Sequence, residues 1–278
     1  MIKGLSRWHY HCTNCGYEAA DITPFINSEG HSVKPNEQDR ETGLKRVREQ
    51  KFTVICNLLE QFQRGNGKRL LDAGCDHGLF LNVAATSYCA EGIEPHREVA
   101  QHARSKGYAL REGYFPDVLN NSDVYDVIVF NDVLEHRPDI DACLRARHRV
   151  LDEDRILVLN LPNSGGVLSG ISKLFARIGW DSMFQRMRQR CYPSTHLQYF
   201  GSKNLCTLAE SYGFTKLYCG RLDTLTRDGL FQRITHIGQY SAPSAVFLYC
   251  AAWLSVLILK RSPADIQLQV FCKQNTGP

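Results

Sequence analysis

The sequence predicts an α/β protein built on a doubly wound, mostly parallel sheet of seven strands, with an N-terminal Cys-x-x-Cys extension and helical cap insertions. Three observations carry this. Between residues 69 and 162, five short apolar runs alternate with segments of helical spacing, the pattern of βαβ units in a parallel sheet with helices on both faces. The first run leads through a Gly-rich turn into a helix, which is where such sheets bind ligands. And 278 residues, 43% of them apolar, with 10 Pro and 21 Gly, are enough for a large core and exclude a disordered or collagen-like chain.

The charge balance, 33 Lys+Arg against 29 Asp+Glu for a net +4, is too small and too evenly spread to argue for a nucleic-acid partner. The 11 cysteines form an odd count, and Cys56, Cys89, Cys143, Cys250 and Cys272 sit within apolar runs. That suits reduced, buried thiols in a cytoplasmic protein better than a disulfide framework. The start, MIKGLSRWHYHC, has no apolar h-region, so no signal peptide is expected.

In chain order, residues 1–35 read as an irregular extension with little periodicity. Residues 37–64 read as a helix, with Leu44, Val47, Phe52, Ile55, Leu58, Leu59 and Phe62 at helical spacing, stopped by Gly65 and Gly67. The five strands are RLLDAGC (69–75), AEGIEP (90–95), YALREGY (108–114), YDVIVFND (125–132) and RILVLNLP (155–162), and the helices between them are 79–86, 96–107 and 139–151. Residues 163–200 form a long cap insertion rich in Arg, Gly and aromatics. A helix (203–213), a strand (214–222), a polar loop (223–242), an uncharged run (245–259) and a last strand (265–274) complete the chain. The expected division is an extension at 1–35, a core at 36–222 that includes the insertion, and 223–278 supplying an apolar helix and the last strand.

LLDAGCDHGLF is the most informative segment. A strand ends at Asp72, Gly74 and Gly78 permit a tight turn and close backbone approach, and a helix starts near Leu79. Such a turn presents backbone N–H groups to a nucleotide-like ligand. Twenty-two residues after Asp72, Glu94 ends the second strand, where an acidic side chain accepts hydrogen bonds from ribose hydroxyls. Taken alone, Glu94 reads rather as a solvated carboxylate at a helix start.

Together LLDAGCDHGLF, GIEP, YDVIVFNDVLEH and RILVLNLPN resemble the motif series of class I S-adenosylmethionine-dependent methyltransferases. The resemblance is to the broad group of ubiquinone-biosynthesis O-methyltransferases and polysaccharide-cluster methyltransferases, over roughly residues 45–222 and the last strand. It implies the Rossmann-like methyltransferase fold, with S-adenosylmethionine as cofactor. A nicotinamide site is disfavoured: it wants G-x-G-x-x-G, and here the turn is acidic, with Asp72 and Asp76. That charge opposes a pyrophosphate and suits a cationic sulfonium. The group usually has Gly where this chain has Asp76, and a carboxylate there would repel or bond the cofactor's amino-acid end.

The resemblance implies that Asp72, Gly74, Cys75 and Gly78 line the methionine part of the cofactor. Glu94 would hold the ribose beside Pro95 and His96; Gly113, Tyr114 and Phe115 would flank the adenine; Asn131, Asp132 and Val133 would close the pocket near the methyl group. For Tyr114 and Phe115, ordinary loop packing is an equal reading. His136 and His196 are the candidate catalytic bases, with Glu135, Tyr199 and Phe200 as substrate-pocket walls.

Cys12 and Cys15 resemble one knuckle of a zinc ribbon, with His9, His11 or His31 to complete a site; the competing reading is a tight turn at Gly16. The uncharged run 245–259 would span roughly 22 Å as a helix, short of the ~30 Å hydrocarbon core. It reads either as a packed helix in a cap or dimer interface, or as a segment lying on the inner membrane face, given Tyr249, Trp253 and the following Lys260 and Arg261. Arg177, Arg186, Arg188 and Arg190 suit an anionic or lipid-linked glycan substrate, or a solvated helix face. The function expected is methyl transfer to a small-molecule, lipid or glycan hydroxyl. The competing readings are an RNA or protein methyltransferase and a non-catalytic member of the fold.

Overall fold

The computed structural model describes residues 1–23, 37–62, 67–190, 194–222 and 261–274, with single positions between 244 and 259. The polar loop and nearly all of the uncharged run therefore lie outside the described residues, as does His31. Among the described residues, no helix is long and apolar enough to cross a membrane.

The central sheet has seven strands. In chain order they are β4 (Arg69–Asp72), β5 (Cys89–Glu94), β6 (Leu110–Glu112), β7 (Tyr125–Asn131), β8 (Leu151–Pro162), β10 (Phe214–Arg221) and β11 (Ile266–Lys273). Their order across the sheet is β10-β11-β8-β7-β4-β5-β6. Only β11 runs antiparallel, inserted between β8 and β10; the other pairings are parallel. This is the doubly wound, mostly parallel sheet that the alternating pattern predicts.

Strand composition explains the two-layer cover. Leu70, Val127, Val129, Ile156 and Val158 face one core with Leu268 and Val270. That core is closed by Ile55 and Leu59 of α1 (Glu37–Phe62) and by Phe80 and Ala84 of α2 (Leu79–Ala84). Their sequence neighbours Leu71, Ile128, Phe130, Leu157 and Leu159 face the other core. There Cys143 of α4 (Ile140–Val150) and Leu205 and Ala209 of α7 (Ser202–Ser211) cover them. Successive strand residues point to opposite faces, so a strand buried on both sides must be apolar throughout. The chain runs β4→β5→β6 in one direction and returns to β7→β8 in the other. The switch point, a ligand crevice in such sheets, therefore lies between the carboxyl ends of β4 and β7.

The N-terminus departs from the irregular segment expected. β1 (Ile2–Lys3), β2 (His9–His11) and β3 (Glu18–Ala20) pair antiparallel with one another and with β9 (Gln198–Tyr199) of the insertion. Strands of two or three residues are too short to show alternation, and the partner of β3 is some 180 residues away in sequence. Between β8 and β9 the insertion forms α5 (Val167–Arg177) and α6 (Ser182–Met187).

Candidate active site at the sheet switch point

The crevice floor is the turn after β4. Ala73 N–H donates to the Val129 carbonyl at 2.9 Å and Cys75 N–H to the Ile93 carbonyl at 2.9 Å, so the turn is held by both neighbouring strands. Gly74 is required by Val133: a Cβ at 74 would lie 2.4 Å from its Cγ2. Gly78 has φ +79° and lies under the Tyr108 ring, where a Cβ would meet Cδ2 at 2.4 Å. Cys75 is buried, its sulfur packed against Gly92 of β5. Burial and the nearby Asp72, Glu94 and Asp76 charges push its thiol far up, to the neutral form.

Two buried carboxylates flank this turn. Asp72 is fully buried and neither of its oxygens completes a hydrogen bond. Burial, then the charge of Glu94, push its carboxyl pKa well above the ordinary range, against a smaller opposing effect of the Asn131 amide. Glu94 accepts the Asp76 N–H at 2.9 Å on one oxygen and the His96 N–H at 2.8 Å on the other. Each carboxylate oxygen retains acceptor capacity after one such bond. Burial, partly offset by those amides and reinforced by the Asp76 charge, pushes Glu94 up to about 7.

Asp76 has φ +48°, a left-handed conformation that Gly adopts freely and Asp tolerates. That accounts for the Gly usual at this position in the group the sequence resembles. The Asp76 carboxylate turns to Arg48 of α1, 2.9 Å away. A helical arginine among other charges carries no sequence signal for this contact, and Arg48 is a residue the sequence reading missed.

Around the rim, Gly113 N–H donates to the Glu94 carbonyl at 3.0 Å, and the partly exposed Tyr114 carries the Arg137 guanidinium 5.0 Å over its ring. Phe115 is almost wholly buried, edge-on to Phe130 at 5.1 Å; its ring is a core contact. Pro95 is half-buried between β5 and α3 (Arg97–Ser105). Asn131 ends β7, Asp132 follows in a left-handed conformation at φ +52° with its side chain exposed, and Val133 packs on Gly74.

Next comes a 3₁₀ turn, Leu134–His136. Its His136 ring meets the His196 ring nearly edge-on, with centroids 4.7 Å apart. His136 Nδ1–H donates to the Thr195 carbonyl at 3.1 Å, which leaves Nε2 with its lone pair. Burial pushes His136 below the ordinary imidazole range. Burial, then the charges of His136 and Arg188, push His196 further below it. Glu135 is buried with neither oxygen hydrogen-bonded, and burial followed by Asp132 raises it well above the carboxylate range.

Comparison with known proteins decides the family. A family model described as a methyltransferase domain matches residues 46–218. The chain belongs to this methyltransferase family. The same fold occurs in a SAM-dependent methyltransferase from Thermotoga maritima, at 13% identity, covering 86% of this chain and 95% of that one, with a TM-score of 0.56. It also occurs in a SAM-dependent methyltransferase from Archaeoglobus fulgidus, at 12% identity, 86% and 98% coverage and a TM-score of 0.54. A third example is phosphoethanolamine N-methyltransferase 2 of Haemonchus contortus in complex with S-adenosyl-L-methionine, at 18% identity, 78% and 51% coverage and a TM-score of 0.53. No curated protein matches by sequence. The family makes the protein a methyltransferase, and its fold is the one shared by these S-adenosylmethionine-dependent enzymes.

The insertion packs around His196. Tyr199 OH donates to the His196 carbonyl and its ring lies 4.0 Å under the Arg188 guanidinium. Phe200 is buried in the core, its ring 5.2 Å from Tyr17. Behind them Glu18 of β3 holds Arg188, Lys173 and His9. Burial opposes the charge on Glu18, but the His9 hydrogen bond and the two cations bring it down to about 2. These buried partners come from three distant segments, and no local pattern announces them.

The zinc expectation at Cys12 and Cys15 gains no support. Cys15 is exposed. His9 is spent, its Nδ1 accepting the Leu5 N–H at 3.1 Å and its Nε2 bonded to Glu18 at 2.9 Å. Among the described residues the one metal-capable grouping is Glu135, His136 and His196, whose ligand atoms lie within 4.8 Å of one another.

Proposed function

We propose that the protein moves a methyl group from S-adenosylmethionine to a hydroxyl of a small-molecule, lipid or glycan acceptor, with the His136–His196 pair as general base. The observation that carries this reading is the pair itself: two imidazoles 4.7 Å apart, kept neutral by burial, His136 in the turn after β7 and His196 just before β9.

The residues present fit the cofactor. Asp72 is a buried carboxylate without a hydrogen bond, suited to the cationic amino-acid end. Glu94 is oriented by two amides and keeps lone pairs for the ribose. Asp76, the departure from the group, is paired with Arg48 at 2.9 Å, which offsets its argument against cofactor binding. S-adenosylmethionine supplies an electrophilic methyl on a cationic sulfur whose leaving group is a neutral thioether.

The chain's own task is then alignment and proton removal. Positioning contributes about 7–11 kcal/mol in well-oriented systems. His136, with Nδ1–H pinned to Thr195, presents Nε2 as acceptor for the hydroxyl proton. Glu135, which burial pushes well above the ordinary carboxylate range, sits beside His136 in the same turn. Tyr199 and Arg188 exclude water behind His196.

The test is transfer of labelled methyl from S-adenosylmethionine to a panel of hydroxylated acceptors. His136→Gln is expected to lower turnover by about 10²–10⁴-fold while calorimetric cofactor affinity stays unchanged. Unchanged turnover removes His136 from the mechanism. Stoichiometric metal in the purified protein, lost in His196→Ala, would make both histidines ligands instead of bases.

A further inference from the structure

Helix α5 is amphipathic in the wrong sense for a soluble surface. Its inward side carries Ser169 and Ser172, both buried, with hydroxyls donating to the Ser164 and Ser169 carbonyls at 2.9 and 2.8 Å. Its outward side carries Ile171, Leu174 and Ile178, which are 40%, 57% and 72% exposed, followed by Trp180 at 63%. Positions 171, 174 and 178 follow the i, i+3, i+7 spacing of one helical face. The helix cannot simply rotate this face inward. Leu168 N–H is bonded to Asp265 at 2.8 Å, and Lys173 Nζ donates to the Ser164 carbonyl at 2.8 Å and pairs with Glu18.

The surroundings say what covers the stripe. From residue 167 to 190 the chain has five cations and one acid, Asp181. Glu18 takes up Lys173 and Arg188 and Arg190 lies over the Trp8 ring and donates to Gln185, while Arg177 at the end of α5 and Arg186 of α6 remain exposed. An apolar stripe ending in Trp and flanked by arginines matches the interface of an anionic bilayer, where the apolar side chains enter the headgroup boundary and the guanidinia meet lipid phosphates. A symmetric pairing of two copies through this face would set the same arginines against each other. Four side chains also fall short of the roughly 800 Å² per partner that a stable dimer buries. Finally, the Pro263 carbonyl receives the Val167 N–H at 3.2 Å. The start of α5 is thereby pinned four residues after the end of the uncharged sequence 245–259.

We infer that α5 is a membrane-docking element that seats the enzyme on an anionic lipid surface through Ile171, Leu174, Ile178 and Trp180, with Arg177 and Arg186 on the phosphates. Helix α5 follows β8 at the carboxyl edge of the sheet, so docking brings the mouth of the crevice toward the bilayer. This is a property of the surface and holds whichever acceptor atom the site methylates.

The experiment is flotation of the full chain with vesicles of phosphatidylcholine alone and of an equimolar mix with phosphatidylglycerol. The wild type is expected to float with the mixed vesicles and to be released by salt. Arg177→Ser with Arg186→Ser is expected to weaken binding by about 30-fold, taking the surface value of one basic side chain for each. Leu174→Glu with Ile178→Glu is expected to weaken it by about 100-fold or more, from two lost apolar insertions. Calorimetric binding of S-adenosylmethionine, read on the same variants, is expected to be unchanged and verifies their fold. Vesicle binding retained by the Glu double variant overturns the proposal. So does a wild type that ignores vesicles, including one that sediments as a dimer which the Glu variant dissolves.

Discussion

Two buried acidic clusters in this protein behave in opposite ways. At the switch point, Asp72 and Glu94 sit together with Asp72 unbonded, and both are pushed upward, Glu94 to about 7. Under the insertion, Glu18 is nearly as buried but holds His9, Lys173 and Arg188, and is pulled down to about 2. Burial penalises both; what differs is the company. A carboxylate surrounded by its own chain's cations is finished as a structural tie. One without them is complementary to a cation that arrives from outside, which in the function proposed above is the sulfonium and ammonium of the cofactor. The comparison teaches that unsatisfied charge, rather than buried charge, marks the binding site.

The largest effect is expected at the tie. Glu18→Ala leaves Arg188 buried without its carboxylate and should destabilise the protein by about 3–5 kcal/mol, measured by urea unfolding. A loss below about 1 kcal/mol would show that the cations find other partners and would break the contrast. Next is the crevice: Asp72→Asn removes the repulsion from Glu94 and should raise the stability of the ligand-free protein at pH 7, while weakening calorimetric cofactor affinity. If it destabilises, Asp72 is a structural residue after all.

The two clusters should also respond to pH in opposite directions. Glu18, lowered from 4.5 to about 2, contributes stability that is present above 4.5 and lost as pH falls toward 2. Glu94, raised from 4.5 to about 7, contributes stability to the ligand-free protein below 4.5 that is lost as pH rises through 7. Cofactor binding wants the charged form of Glu94, so affinity should drop below pH 7, by at most about tenfold per unit from this one group. Titrating affinity in wild type and Glu94→Gln isolates it, and a flat wild-type profile would detach Glu94 from the ribose. The smallest effect is at Asp76→Gly. Its pairing with Arg48 is half-exposed, and Gly suits the left-handed backbone, so stability should change by less than about 1 kcal/mol. Affinity at neutral pH should change little, while the pH at which it falls should move down as the Asp76 charge leaves Glu94.

Much of this was legible in the residues. The alternation of β4, β5, β7 and β8 with helices is a local pattern, because strands buried on both faces must be apolar along their length. The turn from Asp72 to Gly78 was legible because a tight turn against Val133 and Tyr108 leaves no room for side chains. The positions of Glu94 and His136 followed, since Glu94 ends β5 and His136 lies in the short turn after β7. The four-stranded sheet of β1, β2, β3 and β9 was not legible, its strands being too short and its partners too distant. Nor was the inward turn of Phe115, which depends on Phe130 being across from it. The clamp of Arg48 on Asp76 and the set of cations on Glu18 were equally hidden, since any helix surface carries such charges.

What the sequence determined by itself is therefore the sheet, the helices against it, the methyltransferase family and the strand ends that form the crevice. These rest on periodicity and backbone conformation, which neighbouring residues impose on one another. Only the tertiary structure decided which carboxylates are satisfied, that His136 meets His196, and that α5 faces outward with its apolar side. Those outcomes depend on which distant groups share a low-dielectric space, and interaction energies there are set by distance and burial that no stretch of sequence contains.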